Sequence, residues 1–185
     1  GKSFICIDDY EIEKLSKKIK NKNFYTYGFS KKADFQAFNI KYKKKYSVYD
    51  LRLPIRGTKK IIVKNIKLNL IGAHNVLNSL AAVSLCLHIG IKMNVIKKSL
   101  KKFSGIQRRL TKVFQVNKRE FYDDYAHHPT EIKSVLKSFK ITSNERKIIS
   151  VFQPHRYSRL RLLNKNFSSS FKDSDLVVLC PVYAA

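Results

Sequence analysis

The sequence is poor in cysteine, and the few cysteines that it has are far apart. Cys6, Cys86 and Cys180 form no CxxC pair and no other spacing typical of metal ligands. A small secreted domain held together by disulfides is therefore excluded. We expect three buried, reduced thiols in a cytoplasmic protein.

Long apolar runs are also missing. The most apolar stretch, 76–91, is interrupted by two serines, an asparagine and a histidine, whereas a membrane-spanning helix needs about 20 consecutive apolar residues. No signal-peptide pattern opens the chain, which starts with strand-like residues at 4–7 and ends just after another strand-like run. We expect a fragment of a longer protein that has no membrane partner.

Acidic residues are scarce, with 13 Asp+Glu against 38 Lys+Arg and a formal net charge of +25. This excess of basic residues has two interpretations: a basic nucleic-acid-binding domain, or solvated lysines on the surface with no dedicated partner. We favour the second, because lysines are spread through nearly every segment. No RNP-like aromatic strand, zinc-finger spacing or helix-turn-helix pattern accompanies them. Disorder is excluded, because 44% of the residues are hydrophobic.

The chain up to Ser104-Gly105 shows both strand and helix periods. Alternation of apolar and polar residues predicts an antiparallel meander, punctuated by Pro54 and Gly57. Apolar residues at helical spacing predict a long helix that Gly90 ends. The predicted strands are 4–7, 24–27, 33–42, 46–53 and 60–70, and the predicted helices are 11–20, 76–90 and 95–103.

Beyond Ser104-Gly105 strands and helices alternate, which predicts an α/β, nucleotide-fold-like domain. The runs at 148–152 and 176–179 are nearly continuous apolar runs, as is typical of parallel strands buried on both faces. The predicted strands are 111–116, 119–123, 147–152 and 176–180, and the predicted helices are 129–140 and 157–172.

A first candidate site is the run GAHNVLN at 72–78, where a glycine turn opens a helix. Asn75 and Asn78 lie three apart on the first turn, so both amides point to one side. An amide both donates and accepts hydrogen bonds, which suits the edge of a purine. Simple N-capping of the helix by asparagine explains the same residues equally well.

A second candidate is the run DDYAHHPTE at 123–131, where a strand ends and Pro129 begins a helix. Two carboxylates and two imidazoles within six residues can bind a metal ion. However, Asp123 and Asp124 project to opposite faces if the strand continues. A surface turn with incidental histidines is therefore the favoured interpretation of the run itself.

A third candidate is the run QPHRYSR at 153–159, which also joins an apolar strand to a helix. Arg156 and Arg159 are neighbours at the positive end of that helix, an unfavourable place for two cations unless an anion lies between them. Arginine matches the geometry of carboxylate or phosphate. We favour an anion site over a solvated pair.

These loops, in this order and spacing, resemble the Mur ligase family. The run at 123–131 has a close relative in ligases that recycle murein tripeptides, whereas the run at 153–159 favours members that add L-alanine. Weaker similarity extends the resemblance over nearly the whole chain. The residues that carry it are 72–82 (GAHNVLNSLAA), 105–109 (GIQRR), 123–132 (DDYAHHPTEI) and 151–159 (VFQPHRYSR).

The resemblance implies an α/β fold: the end of a central ATPase domain at 1–106, with an antiparallel meander plus helices, and the start of a Rossmann-like parallel ligase domain at 107–185. It implies a ligase, dependent on ATP and Mg²⁺, that joins L-alanine to UDP-N-acetylmuramate through an acyl phosphate in peptidoglycan synthesis. These small molecules are the expected partners, with no specific nucleic acid. The family's phosphate loop and Mg²⁺ ligands are missing from this sequence, so we expect no metal ligand here.

The resemblance also implies roles for individual residues. His74, Asn75 and Asn78 resemble the element that contacts adenine. Arg108 and Asp124 resemble contacts to the ribose and phosphates of the nucleotide. The residues expected at the L-alanine and muramoyl carboxylate end are Tyr125, His127, His155, Arg156 and Arg159, of which His127, Arg156 and Arg159 are the candidate catalytic residues.

These residues can form a single site only if the strands that carry them are arranged in a particular topology. We expect the strands that end near Asp124 and Phe152 to be parallel neighbours, joined by the helix at 129–140 as a right-handed crossover. His127 and Arg156 are then expected on the same side of the domain.

Overall fold

The structure of the chain, a computed structural model, describes residues 1–20, 23–54, 60–142 and 146–184. Gly57, which the sequence pattern uses as a turn signal, lies outside these residues. The chain divides into two units, unit 1 (Gly1–Ser104) and unit 2 (Gly105–Ala185). Among the described residues, no helix is long and apolar enough to cross a membrane.

The described strands of unit 1 form one mixed sheet of five strands. The strands are β1 (Ser3–Cys6), β2 (Phe24–Gly28), β3 (Phe35–Tyr42), β4 (Ser47–Pro54) and β5 (Lys60–Leu68). They lie side by side in chain order. The first three pair in parallel and the last three in antiparallel fashion. The antiparallel meander predicted from the alternating segments is therefore confirmed.

Three helices lie within the described part of unit 1, and the longest of them contributes most of the helical part of the core. The helices are α1 (Tyr10–Lys18), α2 (Ala73–His88) and α3 (Met93–Lys102). Val76, Leu80 and Val83 repeat at helical spacing along α2 and are fully buried. They pack with alternate residues of β4 and β5 in one hydrophobic cluster, since successive strand residues face opposite sides of the sheet.

One hydrogen bond joins the sheet to α2 inside this core. The hydroxyl oxygens of Tyr49 on β4 and Ser79 on α2 are 2.8 Å apart, and Tyr49 is completely buried. Burial raises the pKa of Tyr49 from its ordinary 10.0 to about 12, although the hydrogen bond to Ser79 opposes the shift. Burial disfavours the phenolate because the charged form loses its hydration.

In unit 2 the described residues form two small sheets and two helices. Its elements are β6 (Thr111–Val116), β7 (Arg119–Asp123), α4 (Pro129–Thr142), β8 (Ile149–Phe152), α5 (Tyr157–Ser170) and β9 (Leu176–Leu179). β6 and β7 form an antiparallel hairpin, and β8 and β9 pair in parallel, as the two apolar runs predicted. Ile132 and Leu136 of α4 form a small core with Phe152 and Phe167.

The expected pairing of the strands that end near Asp124 and Phe152 is wrong. Among the described residues, β7 pairs with β6 and β8 pairs with β9, in separate sheets. Residues 117–118 join β6 to β7 in a very short loop, which favours the pairing of these two strands. Among the described residues, the other edge of β7 pairs with no strand. The helix α4 therefore connects two sheets rather than two neighbouring strands.

Burial of β8 and β9 on both faces is also not observed in this chain. Phe152 faces the small core, but Ile149 and Val151 are 62% and 70% exposed. Leu176 and Val178 on β9 are also exposed. The apolar pattern correctly predicted a parallel pair, while the second face of that pair lies open among the residues that the structure describes.

We predict that Tyr49 gives unit 1 a pH-dependent stability in the alkaline range. Its pKa is higher in the folded chain, so its contribution is complete below about pH 10 and is lost as the pH rises through about 12. Urea unfolding between pH 9 and 12 should show a steeper fall in the free energy of unfolding for wild type than for Tyr49→Phe. At neutral pH the variant should be less stable by roughly 0.5–1.5 kcal/mol, the usual value of one hydrogen bond.

Tyr10→Phe is the matched control, because Tyr10 is 71% exposed. Its unfolding curve should follow wild type at every pH. Parallel pH profiles for wild type and Tyr49→Phe would contradict the prediction.

Candidate active site

The run at 72–78 forms the start of α2. Gly72 is the N-cap and has a φ of 97°, a left-handed conformation that glycine adopts without strain. N-capping by asparagine is therefore wrong. Asn75 instead donates its side-chain N–H to the carbonyl of Ile71 at 2.8 Å, which leaves its side-chain oxygen as an acceptor. Asn78 is exposed, and His74 is half-buried.

The loop that opens unit 2 is held by Asp124. Arg108 and Leu110 have φ values of 58° and 52°, a region that costs non-glycine residues energy. One carboxylate oxygen of Asp124 accepts the backbone N–H of Leu110 at 2.7 Å, and the other accepts that of Ala126 at 2.7 Å. The carbonyl of Arg108 accepts the backbone N–H of Tyr125 at 2.8 Å. Asp124 thus ties this loop to the segment after β7.

Arg108 also contacts the second loop through its side chain. Its guanidinium carbon lies 5.0 Å from the ring centroid of Tyr125, and its Nε lies 3.6 Å from a carboxylate oxygen of Asp123. The ring of Tyr125 in turn packs edge-on against His127, with centroids 5.0 Å apart. The structure therefore brings Arg108, Asp124, Tyr125 and His127 together within unit 2.

The start of α4 is organised by Glu131, which the sequence analysis did not assign to the site. One of its carboxylate oxygens accepts the backbone N–H of His127 at 3.1 Å and of His128 at 3.2 Å. The other lies 3.3 Å from a guanidinium nitrogen of Arg109. Partial burial tends to raise the pKa of Glu131, but these hydrogen bonds and the nearby cations together lower it. The signal was available, because glutamate at the third helical position is typical of a capping box.

The third loop holds two arginines at the start of α5. Arg156 is the N-cap of α5, and its φ is 70°. Its backbone N–H donates to the carbonyl of Tyr183 at 3.0 Å. Arg159, one turn on, donates a guanidinium N–H to the carbonyl of His155 at 3.4 Å. The first turn of α5, all of which the structure describes, contains no acidic residue.

Tyr183 is a second residue that the sequence did not point to. The rings of His155 and Tyr183 stack with centroids 5.4 Å apart and planes 17° from parallel. The two residues also pair as an isolated parallel β-bridge. His155 is therefore engaged with Tyr183, and the pairing of β8 with β9 extends to the start of α5. No local sequence pattern links two positions so far apart.

The second and third loops lie around the same small core. Ala126 of the second loop and Leu160 of α5 both pack against the cluster that contains Phe152. Among the described residues, no hydrogen bond, ion pair or ring contact joins the two loops. The approach of His127 to Arg156 stays a prediction.

Metal ligation has no structural counterpart in the described parts of the chain. Within 1–20, 23–54, 60–142 and 146–184, no group of three or more His, Cys, Asp or Glu side chains is arranged to hold a metal ion. Asp123 instead pairs with Arg108, and Asp124 accepts two backbone N–H groups.

Comparison with protein families gives two matches. The Mur ligase middle domain matches residues 1–86, and the Mur ligase glutamate ligase domain matches residues 108–184. The two matches follow each other along the chain in the order of units 1 and 2.

Similar curated proteins match the whole chain. The UDP-N-acetylmuramate–L-alanine ligases of Pelagibacter ubique and Brachyspira hyodysenteriae are 51% and 43% identical to it over 100% of its residues. The chain spans 40% and 39% of the length of these two proteins.

The chain is also similar to proteins of known structure. The chain is similar to the UDP-N-acetylmuramate-alanine ligase MurC of Thermotoga maritima, with 28% identity and a TM-score of 0.70 over 86% of this chain and 34% of that one. MurF of Acinetobacter baumannii, at 19% identity, shares the fold with a TM-score of 0.72 over 98% of this chain and 42% of that one. The fold, the two domain matches and the identity over the whole chain lead to one conclusion: this chain belongs to the Mur ligase family.

Proposed function

We propose that this chain is part of an ATP-dependent ligase that joins L-alanine to UDP-N-acetylmuramate in peptidoglycan synthesis. The observation that carries the proposal is the arginine pair at the start of α5. Two guanidinium groups there add to the positive end of a helix dipole, so the arrangement favours an anion. The 51% identity to the ligase of Pelagibacter ubique supports the same activity.

The proposal also assigns the two parts of the chain to two domains of the ligase. Residues 1–106 form the carboxy-terminal part of a central ATP-binding domain, and 107–185 form the amino-terminal part of the ligase domain. The family matches at 1–86 and 108–184 support this assignment. The location is the cytoplasm, which fits the three free cysteines.

Arg156 and Arg159 bind the carboxylates of the muramoyl group and of L-alanine. A carboxylate accepts two parallel hydrogen bonds from a guanidinium, which fixes its orientation as well as its position. Arg156 holds a left-handed backbone conformation that costs roughly 1–3 kcal/mol. Such strain persists at functional sites when the surroundings hold it, and here the carbonyl of Tyr183 does so.

His74, Asn75 and Asn78 bind the adenine of ATP. The side-chain oxygen of Asn75 and the exposed amide of Asn78 offer both acceptors and donors, which fit the edge of a purine. ATP supplies the phosphoryl group that makes the muramoyl carboxylate reactive toward an amine. Mg²⁺ ligands belong to parts of the family's proteins that precede the residues matched here.

The residues gathered around Tyr125 orient the reacting groups. Arg108 and Asp124 lie on the nucleotide side, and Tyr125 and His127 on the amino-acid side. His127 Nδ1 lies 3.0 Å from the carbonyl of Tyr125. A carbonyl only accepts, so Nδ1 carries a proton and Nε2 of the neutral ring is a hydrogen-bond acceptor. That atom is suited to hold a proton of the L-alanine amine.

The full-length ligase that contains this chain should release phosphate only when ATP, UDP-N-acetylmuramate and L-alanine are all present. A coupled phosphate assay with each component omitted in turn measures this dependence. A higher rate with the murein tripeptide than with L-alanine would instead support a recycling ligase. Micromolar binding of mixed-sequence DNA that survives 0.2 M salt, without ligase activity, would support a nucleic-acid-binding protein.

Arg156→Gly should change activity and stability independently. Loss of a charged hydrogen bond to a carboxylate should lower kcat/KM about 10- to 100-fold. Glycine adopts positive φ without strain, so the free energy of unfolding should stay the same or rise by about 1 kcal/mol. Steady-state kinetics and urea unfolding measure the two effects.

Arg161→Gly is the matched control on the same helix, because Arg161 is exposed inside α5. It should lower the stability by about 1 kcal/mol, the usual cost of glycine in a helix, while kcat/KM stays within threefold of wild type. An Arg156→Gly enzyme with wild-type kcat/KM would contradict the assignment of Arg156 to the carboxylate site.

Asn78→Ala should weaken the binding of ATP. Removal of one neutral hydrogen bond should raise the KM for ATP about 3- to 10-fold, while the KM for L-alanine stays unchanged. The melting temperature should stay near that of wild type, because Asn78 is exposed. Asn94→Ala, at an exposed asparagine in the first turn of α3, is the control. An equal rise in the KM for ATP in both variants would count against the adenine element.

A further inference from the structure

The carboxylate of Glu131 is the point at which three segments of unit 2 meet. It lies on the first turn of α4 and accepts the backbone N–H groups of His127 and His128. It also pairs with Arg109, which belongs to the loop that opens unit 2. One side chain therefore connects the opening loop, the segment after β7 and the start of a helix.

The contacts of Glu131 constrain His127 in two ways. The hydrogen bond from the His127 backbone N–H fixes the main chain from which the ring projects. The ring itself has Nδ1 at 3.0 Å from the carbonyl of Tyr125 and at 3.6 Å from the nearer oxygen of Glu131. Both neighbours of Nδ1 are acceptors, so both favour the ring form that carries its proton on Nδ1.

We propose that Glu131 is a positioning residue for the amino-acid site: it fixes the backbone of His127 and selects the ring form in which Nε2 is the free acceptor. This inference rests on the proposed function, because the value of a fixed Nε2 depends on an amine being bound nearby. Glu131 does not need to touch a substrate, since it acts through His127.

The capping of α4 alone would need fewer contacts than Glu131 makes. The N–H of His128 is the one that a capping glutamate at this position normally accepts. The additional N–H of His127 and the ion pair with Arg109 bring residues from outside the helix to the same carboxylate. The side chain is about one-third exposed, so the ion pair itself contributes little stability. Its geometric effect on the loop is the property to test.

Three variants separate the roles. Glu131→Ala removes the acceptor, whereas Glu131→Gln keeps one acceptor oxygen for the two backbone N–H groups and loses the charge. Glu120→Gln is the matched control, because Glu120 also pairs with two cations, Lys112 and Arg146, on the hairpin side of unit 2.

The first measurement does not depend on ligase activity. Nitrogen-15 NMR of the 185-residue chain at pH 8.5, where an ordinary imidazole is neutral, reports which ring nitrogen of His127 carries the proton. We expect the Nδ1–H form to dominate in wild type, Glu131→Gln and Glu120→Gln, and to lose at least half of its population in Glu131→Ala. A dominant Nε2–H form in wild type, or an unchanged ring in Glu131→Ala, would overturn the proposal.

The second measurement uses the full-length ligase. Glu131→Ala should raise the KM for L-alanine at least tenfold and leave the KM for ATP within twofold, while Glu131→Gln should recover most of the loss. Equal changes in all substrates, or a Glu131→Gln enzyme as impaired as Glu131→Ala, would overturn the positioning role. If wild type ligates no L-alanine, the proposed function fails, while the NMR result still decides whether Glu131 controls His127.

Discussion

The two hydrogen bonds that Asp124 accepts from backbone N–H groups determine the geometry of the cluster formed by Arg108, Tyr125 and His127. The loop that Asp124 holds contains two left-handed residues, Arg108 and Leu110, each of which costs roughly 1–3 kcal/mol. Hydrogen bonds to a charged acceptor are worth about 1.5–3 kcal/mol each, which is the same order as that cost. With the loop held, Arg108 can lie against the ring of Tyr125. The residues proposed to contact the nucleotide and those proposed to contact the amino acid are thus connected within unit 2.

The sequence predicted those helices and strands whose pattern lies within one short segment of the chain. The alternation along 46–53 and 60–70 gave β4 and β5, and the helical repeat of Val76, Leu80 and Val83 gave α2. The neighbour of β7 was not accessible, because periodicity describes each strand and not its partner. The apolar runs of β8 and β9 likewise showed that the strands pair in parallel, but not how much of Val151 is covered in this chain.

The candidate site was predictable as a set of residues but not as an arrangement. The motif runs identified Arg156 and His127, yet nothing in the sequence marks an arginine whose φ is positive or a partner as distant as Tyr183. These features arise from contacts between segments far apart in the chain. Glu131 is different, since its spacing from His128 matched a known helix-start pattern. That pattern alone does not assign Glu131 to the site, because it describes helix stability, whereas the contact with the backbone N–H of His127 reaches outside the helix.

The hydrogen bond between Arg156 and Tyr183 has a consequence for how the protein matures. Arg156 is synthesised before Tyr183, so its backbone N–H can bond only to other acceptors, such as water, until the segment after β9 has been synthesised and paired. During that interval the start of α5 is free to relax into an unstrained conformation. The backbone of Arg156, and with it the proposed carboxylate site, thus takes its final geometry only after β9 has paired with β8.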